Sequence, residues 1–264
     1  MIRIVRASLP RLLPALLLAA ALVLLAGCSN ADPQNTFSPA GDVAAKERDL
    51  FNLVLWPAVA ILIIVEGLLV VAVLRFRRRG DEGPPKQVHG NTRLEIAWTV
   101  APAVLLLVVA VPTVASIFDV GRAPKADAFP VNAVGQRWNW KFEYPGVVDK
   151  DGKPLFTFGE MHIPADQEIS VSLDSVDVIH SFWVPKLAGK LDVIPGRHNR
   201  MWLNATVPGV YSGQCAEFCG LQHYKMRFCV VAHKSLADFQ AWAKTAKSGS
   251  GELQPTSCEG LSDG

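Results

Sequence analysis

Apolar residues fall in three early blocks, at positions 12–25, 53–74 and 96–117, and no comparable run follows. The second and third blocks are twenty-two residues each. As helix that is ~33 Å, against a hydrocarbon core of about 30 Å, so two membrane spans are predicted. The first block has fourteen residues, too few to cross comfortably. From Pro130 the pattern changes to short alternating runs at 131–134, 138–144, 168–173, 200–203 and 226–232. Turn sequences punctuate this region, among them Tyr144-Pro145-Gly146, Asp151-Gly152, Ile194-Pro195-Gly196 and Val207-Pro208-Gly209. Period-two patterning broken by Pro and Gly predicts an all-β sandwich or Greek-key barrel over 118–234. A last helix is expected at 235–247, with Leu236, Phe239 and Trp242 on one face. Residues 248–264 are poor in apolar side chains and predict a disordered tail, in which Cys258 stands alone.

The charges flanking the blocks orient them. Arg3, Arg6 and Arg11 precede the first block, which ends in Leu25-Ala26-Gly27-Cys28. This is the layout of an export signal over 1–27. The small residues before Cys28 resemble a bacterial lipoprotein cleavage box, which implies lipidation of Cys28 and an external segment over 28–52. An uncleaved anchor with an incidental Cys is the alternative. The loop 75–95 carries Arg75, Arg77, Arg78, Arg79, Lys86 and Arg93 against Asp81, Glu82 and Glu95, so the positive-inside rule places it in the cytoplasm. Everything after Phe118 is then expected outside the plasma membrane, between spans at 53–74 and 96–117 and the C-terminus. The chain's formal net charge is +2, yet 119–264 hold fifteen Lys plus Arg against sixteen Asp plus Glu. No basic footprint for nucleic acid is present.

The chemistry concentrates in Gly213-Gln-Cys215-Ala-Glu217-Phe-Cys219-Gly-Leu-Gln-His223-Tyr-Lys-Met226. Thiolate and thioether donors favour copper over hard metals, and imidazole is compatible with it. A mononuclear blue-copper site needs one Cys, so the second Cys is surplus unless two copper ions share both thiolates. A second imidazole must come from elsewhere, and His180 in Asp177-Val-Ile-His180-Ser-Phe is the best placed candidate. Two alternatives stay open at this point. Cys215, Cys219, Cys229 and Cys258 could form two disulfides in an oxidising compartment. A zinc site would want a second Cys pair that the sequence lacks. Cys229, in an apolar run, reads as a small buried hydrophobe.

These segments, together with Ile194-Pro195-Gly196-Arg197, resemble subunit II of cytochrome c oxidase across 53–242. The resemblance implies a cupredoxin-like domain behind a two-helix anchor. It implies a dinuclear CuA centre held by His180, Cys215, Cys219, His223, Met226 and the backbone carbonyl of Glu217. It also implies that the Glu217 carboxylate helps bind magnesium shared with subunit I. Trp138, first of the aromatic run Trp138-Asn139-Trp140-Lys141-Phe142-Glu143-Tyr144, would be the point of electron uptake. Asn139 stands where the family often has an aromatic residue. The implied partners are the haem-bearing subunit I, subunit III, membrane lipid and a cytochrome c donor. Oxygen reduction and proton translocation would belong to subunit I.

Other residues carry two readings each. Trp140, Phe142 and Tyr144 fit a strand with large side chains in the core. Glu143, Asp177 and Asp192 could meet the basic face of a cytochrome c, or be ordinary solvated charges. Glu95 resembles the family's proton-uptake entrance, and equally suits a helix N-terminus. Glu66, mid-span, must face protein or stay protonated. With no Cys-x-x-Cys-His in the sequence, no covalently attached haem is expected in this chain. The rival readings are a quinol oxidase subunit, which would lack the copper ligands, a nitrous or nitric oxide reductase, and a copper delivery protein.

Overall fold

The two long apolar blocks each lie within a helix that outruns it. The computed structural model describes residues 18, 33–77, 83, 87, 90–255 and 258. Cys28, and all of 1–27 except Leu18, lie outside the described residues, as do Arg78, Arg79 and Lys86. Helix α1 is Asp42–Arg75 and helix α2 is Thr92–Val120, both long and apolar enough to cross a membrane. At 34 residues α1 is longer than a span requires. Its first turn belongs to the β domain, where Val43 and Ala44 are buried. Gly41 enters so closely that a Cβ would sit 2.5 Å from the carbonyl oxygens of Leu187 and Asn204. The Asn204 side chain accepts from the Asp42 N–H at 2.9 Å and so caps the helix from across the domain.

Helix α2 begins on Asn91, whose side chain accepts from the N–H groups of Arg93 and Leu94. The Glu95 carboxylate accepts in return from the Asn91 N–H at 3.2 Å, a reciprocal arrangement of the capping-box kind. At the other end of α2, Asp119 pairs with Lys46 of α1. Arg122 lies 4.0 Å over the Trp202 ring and forks onto Glu168 at 2.9 and 2.6 Å. The hairpin is therefore tied to the β domain at both of its outer ends.

The β domain is a sandwich of two five-stranded sheets. One sheet runs β3-β2-β1-β5-β8, with β1 Phe129–Gln136, β2 Asn139–Val148, β3 Pro154–Phe158, β5 Ile169–Ser175 and β8 Asn199–Leu203. The other runs β4-β10-β9-β6-β7, with β4 Glu160–Pro164, β6 His180–Trp183, β7 Leu191–Val193, β9 Gly209–Cys215 and β10 Arg227–His233. The pairs β1·β5 and β4·β10 are parallel, so the chain crosses between sheets rather than meandering within one. Trp140, Phe142 and Tyr144 alternate into the core, as the spacing predicts. Trp140 packs against Phe182 and Phe228 from the facing sheet. Helix α3, Leu236–Ala243, is capped by Ser235 and buries Phe239, while Leu236 is exposed rather than sharing that contact.

Two expectations are corrected. The segment after α3 is not a disordered tail over its described part: the Gly249 N–H donates to Phe156 O at 2.9 Å and the Phe158 N–H to Ser250 O at 2.8 Å. Backbone hydrogen bonds along β3 hold it, and composition carries no signal for those. Cys258 is not alone, and Cys229 is not merely a small hydrophobe, because the two form a disulfide. The alternative of two disulfides among the four cysteines is set aside, since Cys215 and Cys219 are free thiols.

Candidate metal centre

The β9–β10 connection brings four donor side chains together, and β6 brings the fifth. Cys215 ends β9, and its N–H donates to Met226 O at 2.9 Å, closing the loop between them. Residues His223–Lys225 form a single 3-10 turn that lifts His223 back over the loop. Phe182 of β6 pairs with Cys215, and the Ala216 N–H donates to Ser181 O at 2.9 Å, so His180 lies alongside the loop. Two glycines make room. A Cβ on Gly213 would fall 2.3 Å from the Phe228 ring, and one on Gly135 would lie 3.0 Å from the His180 imidazole.

The donor atoms are neighbours in a chain of short contacts. Cys215 Sγ lies 3.8 Å from His180 Nδ1, 3.2 Å from Glu217 O and 3.8 Å from Cys219 Sγ. Cys219 Sγ lies 3.6 Å from His223 Nδ1 and 3.7 Å from Met226 Sδ. The six groups that the family resemblance implies as ligands thus lie along one chain of contacts, with His180, Cys215 and Cys219 mutually close at its centre. His180, Cys215, Cys219 and Met226 are buried and His223 is half-buried.

Electrostatics prepare the donors. The His180 Nε2 bonds Asp177 Oδ1 at 2.9 Å, which fixes the ring and leaves Nδ1 facing the thiols. Burial holds the His180 pKa below its ordinary value despite that carboxylate, so the imidazole is neutral and can donate a lone pair. Burial and the neighbouring Cys215 sulfur push the Cys219 thiol up to about 12. A metal must therefore displace its proton on binding. Two free thiols, two imidazoles, a thioether and a carbonyl, walled by Trp140, Phe182 and Phe228, fit soft or borderline copper and no hard cation.

The remaining candidates are placed as follows. The Trp138 indole N–H donates to Cys219 O at 3.2 Å, so this half-buried side chain lies directly against the donor loop. The Glu217 side chain is exposed. Asp177, expected at a docking surface, is engaged by His180, by the Arg137 N–H at 2.8 Å and by the Val178 N–H at 2.7 Å. Partial burial opposes its ionisation, but those hydrogen bonds prevail and hold its carboxyl at about 2. Glu143 pairs with Lys141 on β2, and Asp192 is exposed on β7. Sequence reasoning missed the apolar rim of Phe218, Leu221 and Tyr224, which are 76%, 88% and 68% exposed beside the donors. Their adjacency to the ligands in the motif was the available signal.

Fold and site define a membrane-anchored β-sandwich protein with a buried centre of sulfur and imidazole donors. Comparison narrows this class. Residues 33–115 match the family described as cytochrome c oxidase subunit II, transmembrane domain, and residues 149–233 match its periplasmic domain. Cytochrome c oxidase subunit 2 of Alkalihalophilus pseudofirmus is 36% identical over 229 residues, covering 84% of this chain and 65% of that relative's length. A probable cytochrome c oxidase subunit 2 of Rickettsia conorii is 33% identical over 251 residues, covering 86% of this chain and 79% of the relative. A quinol oxidase subunit 2 of Bacillus spizizenii is 34% identical over 252 residues, with 92% and 74% covered. The chain belongs to the cytochrome c oxidase subunit II family.

Proposed function

We propose that this chain is the electron-accepting subunit of a haem-copper oxidase, taking electrons from a cytochrome c and delivering them to haem in subunit I, where oxygen is reduced with proton translocation. The observation that carries the reading is the unbroken chain of contacts, 3.2 to 3.8 Å, that links His180, the Glu217 carbonyl, Cys215, Cys219, His223 and Met226. Overall similarity does not separate a cytochrome c oxidase from a quinol oxidase, since relatives with either name match this chain at comparable identity. The complete donor set favours the copper-bearing alternative.

Cys215 and Cys219, together with His180, His223, Met226 and the Glu217 carbonyl, would hold two copper ions. Bound there, the copper pair would supply a one-electron couple. The protein's own part is to hold those donors in place. Asp177 orients His180, Trp140 packs against the same imidazole, and the loop is closed by the Cys215–Met226 backbone bond. Trp138, bonded to the Cys219 carbonyl, is the residue through which electrons would arrive. The exposed rim of Phe218, Leu221 and Tyr224 suits a transient protein contact, with Glu143 and Asp192 as charged neighbours of the docking face. The exposed Glu217 carboxylate is free to share magnesium with subunit I. The β domain would lie outside the bacterial plasma membrane, with subunit III as a further partner.

Metal analysis and electron paramagnetic resonance of the copper-reconstituted, detergent-solubilised chain test the reading. Two coppers per chain, with hyperfine structure from an electron shared over both nuclei, is the expected result. Cys215→Ser or His223→Ala should abolish that signal while membrane insertion persists. A mononuclear signal, or no copper, would overturn the assignment.

A further inference from the structure

The segment after α3 is bonded along its described length, and those bonds lead to the rim of the metal centre. The Ser248 N–H donates to Asp149 Oδ2 at 3.0 Å, and Gly249 and Ser250 pair with β3. The chain then crosses the β3–β4 turn where no side chain fits. A Cβ on Gly159, at φ +64°, would lie 1.8 Å from Glu252 O, and one on Gly251, at φ +97°, would lie 2.1 Å from Phe158 O. Past the crossing, Gln254 Nε2 donates to Trp138 O at 2.9 Å and lies 3.4 Å from Gln222 Oε1. Pro255 is buried, and Cys258 is covalently joined to the fully buried Cys229 of β10.

Trp138 is therefore held from two sides. Its indole N–H reaches the donor loop at Cys219, and its backbone carbonyl is held by Gln254. Gln222, the second partner of that carboxamide, immediately precedes His223. One side chain of the C-terminal segment thus bridges the aromatic residue and the turn that carries a metal donor. The disulfide ties Cys258 to β10 and so limits how far Gln254 can move while Cys229 and Cys258 stay joined.

We propose that residues 248–255, joined onward to the Cys229–Cys258 disulfide, act as a strap whose Gln254 positions Trp138 against the donor loop, making Gln254 a positioning residue for electron uptake. The proposal rests on reading Trp138 as the site where electrons arrive. Electronic coupling falls steeply with distance, so an indole that rocks away from Cys219 slows transfer without altering the donors. Gln254 contacts none of the donor side chains that would hold copper, so its loss should leave the centre itself intact.

Two measurements on the full chain decide the matter. Gln254→Glu keeps the shape of the side chain but turns its donor into a carboxylate oxygen facing two acceptors. In the metal-free chain, hydrogen exchange over 136–140 and 220–226 should quicken about fivefold, as expected for one lost hydrogen bond. Cys258→Ser should give the same localised change. In the assembled, copper-loaded oxidase, Gln254→Glu should slow reduction by cytochrome c severalfold, while reduction by a small one-electron donor and the copper spectrum stay as in the parent. Unchanged exchange in both segments, or an equal fall in both reduction rates, would overturn the strap's role. A Trp138→Phe control separates the failures. If that variant is reduced by cytochrome c at the parent rate, the uptake reading falls and the proposal with it. If it slows and Gln254→Glu does not, the proposal alone falls.

Discussion

At the residue scale, the donors were legible because soft ligands at fixed spacing leave few chemical choices, whereas the residues that aim them were not. Asp177 is the case in point. An acid three positions before a His looks the same in sequence whether it faces solvent or the imidazole. Folding decides: the β5–β6 connection turns Asp177 onto His180 Nε2 while the Arg137 and Val178 amides take the remaining lone pairs. A neutral replacement that keeps the shape tests this. Asp177→Asn should leave the fold intact yet weaken copper binding by about tenfold or more, the usual cost of losing a partner behind a ligating histidine. Competition with a chelator of known affinity measures it. Unchanged affinity would return Asp177 to the class of ordinary surface acids.

At the element scale, strands were found where a run of large apolar residues marks them, by alternation in β2 and by an unbroken apolar run in β10, and missed where it does not. β2 was plain because Trp140, Phe142 and Tyr144 point inward at every second position. β4 was not, because four of its five residues are buried and the period vanishes. β9 carries Gly209 and Gly213, and β7 is three residues long, so neither offers a run to read. The membrane helices were located, but the extra turns of α1 at 42–52 were not, since they are amphipathic extensions packed on the β domain rather than lipid-facing.

The junction between α2 and the sandwich rests on Arg122 and Glu168, and it carries a pH signature. The Arg122 hydrogen bonds hold the Glu168 carboxyl down at about 2, against partial burial, with help from the Lys125 backbone N–H. A depressed acid contributes stability above its unfolded value of 4.5 and loses it as pH falls towards the folded value. Thermal unfolding of the parent chain and of Glu168→Gln should therefore differ at neutral pH and converge as pH falls through that window. Arg122→Ala should cost about 2 kcal/mol at neutral pH, because it removes two charge-assisted hydrogen bonds from a mostly buried carboxylate, leaving it Lys125 alone, and uncovers Trp202. Parallel curves for Glu168→Gln and parent down to pH 2 would mean that this ion pair contributes nothing.

At the scale of the whole molecule, the anchor and the site have to be read together, because the hairpin fixes which side of the membrane the centre serves. Val43 and Ala44 at the start of α1 are buried in the sandwich, and Lys46 meets Asp119 at the end of α2. Both outer ends of the hairpin therefore lie at the β domain, and the other ends, at Arg75 and Thr92, lie about a membrane thickness away along the helices. The six basic residues of 75–95, against three acidic ones, favour retention of that end of the hairpin in the cytoplasm. The β domain, near neutral in net charge, meets no such barrier to export. An oxidising exterior is also where the Cys229–Cys258 disulfide would persist. An epitope inserted after Gly83 should then be hidden from antibody in intact spheroplasts and revealed on permeabilisation, while the β domain is reached by external protease in both. An epitope reached before permeabilisation would place the donor cluster on the cytoplasmic side. A cytochrome c outside the membrane could not then meet Trp138, and the proposed direction of electron delivery would have to be abandoned even if copper binds as expected.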